Sequence, residues 1–102
     1  MEQYQIVIGE NAKKDIVNLS NSIIYDYASP ITAFKYLKGL YLQINSLKSG
    51  ADSFVVQTSP FFHQYGFNVR AISYKKRTII YVVSNHCVYI KAVISSATIK
   101  GL

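Results

Sequence analysis

The chain has no tryptophan, one cysteine (Cys87), one methionine and two prolines in 102 residues, and no acidic residue after Asp52. Each scarcity removes a class of protein. A single thiol forms no internal disulfide, which sets aside the small secreted scaffolds stapled by several bridges. Two prolines, and 16% charged against 50% apolar residues, set aside a disordered or low-complexity chain. No segment approaches the ~18 consecutive apolar residues of a membrane span. The start MEQYQIVIG lacks the basic opening and apolar stretch of a signal peptide, so a cytoplasmic location away from membranes is expected. His63 and His86 are the two imidazoles, and no pair of Cys or His has zinc spacing. With no glycine-rich phosphate loop or paired carboxylates in the second half, neither a metal nor a cofactor is expected.

What is present is uneven in charge. From Met1 to Asp52, Lys13, Lys14, Lys35, Lys38 and Lys48 balance Glu2, Glu10, Asp15, Asp26 and Asp52. Beyond that point Arg70, Lys75, Lys76, Arg77, Lys91 and Lys100 carry the whole net charge of +6. Such asymmetry points to a polyanionic or acidic partner for the second half, against the plainer reading of a solvated basic face.

The length suits one domain over residues 1–102 built on one core. A short β-prone run with Tyr4, Ile6 and Ile8 stops at Gly9. Ala12, Ile16, Leu19, Ile23 and Tyr27 then share a helical face, which predicts a helix over Asn11–Tyr27 with Asn11 as its cap. Ser29-Pro30 opens a second helix to about Leu47, on a stripe of Ile31, Phe34, Leu37, Tyr41, Ile44 and Leu47. Gly39 lies inside it, for which a close helix crossing is the expected reason. Lys48 to Gly66 reads as a long connection, with a short strand at Phe54–Val56 and with Phe61-Phe62-His63 as a plug beneath it. Three β runs follow: Phe67–Tyr74, Thr78–Val83 and Cys87–Ile94. The expected class is α+β, ordered β-α-α-β-β-β, an antiparallel sheet against an N-terminal two-helix hairpin.

The most specific polar feature is the turn Tyr74-Lys75-Lys76-Arg77. Strand alternation lets Arg70 share a face with Tyr74, where an Arg fork and a phenol could engage a phosphate and a stacked base. Exposed lysines that discourage edge pairing are the competing explanation. Of nine tyrosines, Tyr27, Tyr41 and Tyr81 read as core, and Tyr65, Tyr74 and Tyr89 as exposed. Cys87 at a strand start reads as a small buried hydrophobe.

The segments NAKKDI (11–16), SPITA (29–33) and INSL (44–47), then Gly66 with Arg70, YKKRTIIYVV (74–83) and VYIKAVI (88–94), together resemble the RelE/ParE family of bacterial type II toxins. Their order runs over nearly the whole chain. The resemblance implies two helices packed on an antiparallel sheet, and a basic toxin of the plasmid-stabilisation type held inactive by a cognate antitoxin. RelE-like members cut ribosome-bound mRNA without a metal, and ParE-like members poison DNA gyrase. Arg70 matches the family's basic position on the second strand, and Arg77 falls close to the one starting the third. Cleavage by the ribose 2′-hydroxyl calls for a base, cations and an acid. The catalytic candidates are therefore Arg70 and Arg77, which the resemblance implies, with His86 and Tyr89 as the nearest substitutes for its acid and base, away from the matching positions. Target-binding candidates are Arg70, Tyr74, Lys75, Lys76, Arg77 and Lys91. The chain departs from nuclease members at its end, where Ile94–Leu102 carries no Arg, Tyr or His. That shifts weight towards the ParE branch. A plain nucleic-acid-binding module, or an inactive member that binds only its antitoxin, is the alternative.

Overall fold

The computed structural model describes residues 3–99; Lys100 lies outside the described residues. The described chain runs β1 (Gln5–Ile8), α1 (Glu10–Tyr27), α2 (Pro30–Asn45), β2 (Arg70–Tyr74), β3 (Arg77–Ser84) and β4 (Cys87–Ser95), with short 3-10 turns between α2 and β2 and after β4.

Helix α1 starts one residue earlier than the sequence suggests. Its N-cap is Gly9, not Asn11, and no side chain caps it. Gly9 is fixed by the sheet: its N–H donates to Ile90 O at 3.0 Å. A Cβ there would approach that oxygen to 3.1 Å, so a bare backbone suits the turn from strand to helix. Ala12, Ile16, Leu19 and Ile23 are buried as the stripe requires, whereas Tyr27 is exposed. The helix ends on Ala28 in the left-handed conformation. Ser29 then caps α2 as expected, its Oγ accepting from Thr32 N at 3.2 Å, with Pro30 in the first turn.

The buried face of α2 differs from the expected stripe. Ala33, Leu40 and Ile44 are buried, followed by Leu47 in the next turn, while Tyr36 and Leu37 pack against the core. Ile31 and Phe34 are exposed. The reason is periodicity: Ala33, Leu37, Leu40, Ile44 and Leu47 step by four, three, four and three, close to the helical repeat, whereas the series from Ile31 steps by three, three, four, three and three and drifts around the helix.

The sheet order is β1-β4-β3-β2. The three C-terminal strands are antiparallel, and β1 joins the outer side of β4 in parallel, so the sheet is mixed rather than wholly antiparallel. The β3–β4 turn holds Asn85 and His86 both at positive φ, the twist-matched hairpin form. Lys91 is the extra residue of a bulge: Ile80 faces Ala92 and Tyr81 faces Ile90.

Each face of the sheet is covered. The helical hairpin packs on Ile72, Ile79, Tyr81, Val88, Ile90 and Val93. On the other face Phe62 joins Val69, Ile80, Ala92 and Ile99, with Phe61 and Tyr65 at their edge. The 60–65 turn is thus the plug that the apolar pair Phe61-Phe62 suggests. The segment expected as a strand at Phe54–Val56 supplies one bridge, Val56 to Arg70, and Phe67 to Val69 lie outside β2.

Candidate nucleic-acid or target interface

Strand β2 delivers Tyr74, and the two-residue turn after it delivers Lys75, directly against Tyr36 of α2, with Lys76 following in the same turn. Tyr74 packs edge-on to Tyr36, ring centroids 5.2 Å apart at 75°. Its hydroxyl donates to the Tyr36 carbonyl at 3.3 Å. The Lys75 ammonium sits 5.4 Å from the Tyr36 ring and 5.5 Å from that of Tyr74. Across β2–β3, Tyr74 pairs with Arg77. Burial pushes the Tyr36 phenol above its ordinary pKa, while the Arg77 charge, and a hydrogen bond from it, pull it back.

Tyr36, Lys75, Lys76 and Arg77 form one wall of a cleft of about 450 Å³. Ser22, Asp26 and Tyr27 of α1 and Thr32 of α2 line the rest. A second cavity of about 380 Å³ continues past Arg77 to Asp15 and Ser95. Among the described residues the one ion pair within 4.0 Å is Glu10–Lys13, at 3.5 Å and elsewhere on the surface. Lys75, Lys76 and Arg77 therefore face the cleft with no carboxylate bound to them.

The structure brings Tyr74, Lys75, Lys76 and Arg77 together and sets the other candidates apart. Arg70 shares the helix-facing side of β2 with Tyr74, but four residues of strand, about 13 Å, separate them. Its guanidinium donates to the backbone carbonyls of Asp52, at 3.0 Å, and Phe54. It ties the long connection to the sheet. Tyr89 lies opposite Val82, five residues of β3 from Arg77 or about 17 Å, and His86 occupies the turn beyond it. A hydrogen bond with Cys87 on the same strand face raises the Tyr89 phenol. Cys87 is half-buried rather than core, and Lys91 is exposed on its bulge. Tyr36, Asp26 and Ser22 are the cleft residues that the sequence reading overlooks; the four-and-three spacing around Tyr36 is the signal that marks its side of α2.

No group of three or more His, Cys, Asp or Glu gathers at metal-binding distance among the described residues, and none of the described helices is long and apolar enough to cross a membrane. A second surface feature is apolar. Ile31 (68% exposed), Phe34 (67%) and Leu42 (63%) stand on α2 away from the core.

The comparisons with known proteins bear on the architecture. A chain from a solved structure titled "Chromosomal ParDE TA system from P. aeruginosa" matches at a TM-score of 0.74 and 13% identity, covering 91% of this chain and 96% of that one. The chain shares that neighbour's fold. No family model and no curated protein matches at the level of sequence, so the likeness is one of fold. The α+β class expected from the RelE/ParE resemblance, two helices packed on a sheet, agrees with that shared fold, with the sheet mixed rather than antiparallel throughout.

Proposed function

We propose that the chain is the toxin of a type II toxin–antitoxin system, neutralised by a protein antitoxin and acting, once released, on DNA gyrase. The observation that carries this reading is the fold shared over nine-tenths of the chain with a member of a ParDE system. Two surface features support an antitoxin partner: the uncompensated cations of the Lys75–Arg77 turn, and the exposed Ile31, Phe34 and Leu42 on α2. A segment both acidic and amphipathic would neutralise the first and cover the second.

Gyrase is preferred over mRNA because a metal-free nuclease needs its acid, base and cations around a single phosphate. The candidates Arg70, His86 and Tyr89 lie one strand length or more from Arg77. Tyr36 beside Arg77 is a phenol that burial pushes above its ordinary value, the wrong direction for a base.

The test is expression of the chain alone in a bacterium, followed by assays of gyrase supercoiling and of message cleavage in a ribosome-dependent translation reaction. Growth arrest with lost supercoiling and intact messages is the expected result. Cleaved messages with normal supercoiling would replace gyrase by mRNA. Unimpaired growth would remove the toxin reading and leave a nucleic-acid-binding module or an inactive relative.

A further inference from the structure

Arg77 stands where the two cavities meet, and the walls on either side of it carry opposite charge. The hairpin wall holds Lys75, Lys76 and Arg77; the α1 wall holds Asp26 in the first cavity and Asp15 in the second. Opposite charges facing each other over a narrow gap ordinarily collapse into ion pairs. Here no such pair bridges the gap among the described residues. Lys75 stays instead over the Tyr36 and Tyr74 rings, and the Arg77 charge acts on the Tyr36 phenol. Lys75 is thus held by aromatic neighbours, and the space between the walls stays open.

That arrangement selects a ligand. The cations and the Tyr36 hydroxyl suit a phosphate, for which an Arg fork is a good match. Asp26, on the opposite wall, requires donors on the same ligand. Tyr27, 68% exposed, offers an unoccupied ring face. A volume of about 450 Å³ is that of a small-molecule cleft. A long polyanionic strand fits worse, because its next phosphates would pass Asp26 and Asp15.

We propose that this cleft binds a nucleotide. The phosphate sits on Lys75, Lys76 and Arg77, the sugar hydroxyls or a base amine donate to Asp26, and the base stacks on Tyr27. The proposal rests on the cleft and not on the toxin reading: nucleotide binding without growth arrest would keep the first and remove the second, and growth arrest without nucleotide binding would do the reverse.

The test is a titration of isotopically labelled chain, made by cell-free synthesis, with adenosine monophosphate, inorganic phosphate, a short single-stranded DNA and a poly-glutamate peptide, followed by amide NMR. Adenosine monophosphate is expected to move Ser22, Asp26, Tyr36 and the Lys75–Arg77 turn. Inorganic phosphate should move the turn alone. Arg77→Ala should weaken the nucleotide about tenfold or more, the effect of one lost charge-assisted fork. Tyr27→Ala, on an exposed ring that the core does not need, should weaken it about fivefold or more by removing the stacking face. Lys13→Ala with Lys14→Ala, on the outer side of α1, should leave it unchanged. The proposal is overturned by any one of three outcomes: no nucleotide shifts at millimolar concentration, shifts centred on Lys13 and Lys14, or tighter binding of the DNA or the peptide than of the nucleotide.

Discussion

The Tyr74 hydroxyl fills the place that a side chain at position 39 would take: a Cβ built on Gly39 falls 2.0 Å from it and 2.9 Å from Cζ. Glycine in mid-helix costs about 1 kcal/mol relative to alanine, and here that cost allows a phenol from β2 to lie on α2. The close approach is between a helix and a ring, not between two helices. Gly39→Ala should therefore destabilise the fold by about 1–2 kcal/mol, since the strained Tyr74 loses its Tyr36 contact and its hydrogen bond. In a Tyr74→Ala background the same change should stabilise by about 1 kcal/mol, the helix propensity alone. Denaturant midpoints of the four proteins check it; equal effects of Gly39→Ala in both backgrounds would break the link.

Much of this arrangement is legible in the sequence, because it follows from local rules. Ser29-Pro30 gives a helix start, the four-and-three spacing of α1 gives its buried face, and the three β runs give the antiparallel part of the sheet. The parallel seat of β1 is not legible, since Gln5–Ile8 carries no mark of which strand it joins. Nor is the separation of Arg70 from Arg77. Both flank the same hairpin, but only the register, Tyr74 opposite Arg77 and Arg70 opposite Tyr81, shows that they lie at its two ends. The face of α2 is misread because two apolar series overlap on it, and the one with the poorer helical period contains the larger residues.

Arg70 and Arg77 should separate in their effects. The first donates to two carbonyls of the connection and the second lines the cleft, so Arg70→Ala should cost about 1 kcal/mol, the net worth of hydrogen bonds to carbonyls of exposed residues. Arg77→Ala should leave thermal stability within about 0.5 kcal/mol of the parent while relieving growth arrest. Thermal melts beside a growth assay decide it. A stable Arg70→Ala variant, or an unstable Arg77→Ala variant, would reverse their assignments.

Tyr81 sets an alkaline limit on stability. It is fully buried, and its hydroxyl donates to Ala51 O at 2.6 Å. Burial pushes its phenol up to about 12 from 10.0, an effect that the Arg70 charge moderates and the Asp52 charge reinforces. A group whose folded pKa lies above its unfolded one favours the fold at any pH below the unfolded pKa. That contribution is then lost as pH rises from about 10 to about 12. Unfolding free energy should fall over this window in the parent and fall less in Tyr81→Phe. The variant should also be about 1–3 kcal/mol less stable at neutral pH, because Ala51 O loses its donor. Denaturant titrations at several pH values check both; parallel pH profiles for parent and variant would place the alkaline loss on other tyrosines.

Asp15 does for β4 what a fifth strand residue of β1 would have done. Strand β1 ends at Ile8, whose partner is Ile90, and Gly9 turns the chain away into α1. The edge of β4 beyond Ile90 is left without a backbone neighbour, and the Asp15 carboxylate, one and a half turns into the helix, accepts from Val93 N at 3.0 Å. Helix α1 is thereby fixed over β4 at the point where the second cavity opens. A charge-assisted bond of this kind contributes about 1.5–3 kcal/mol. Asp15→Ala should lose that amount and release the Val93 amide to fast hydrogen exchange. Asp15→Asn, which keeps an acceptor oxygen and discards the charge, should lose roughly half and keep the amide protected. If Val93 exchanges slowly in Asp15→Ala, another group serves that edge and α1 is held over the sheet by its apolar stripe alone.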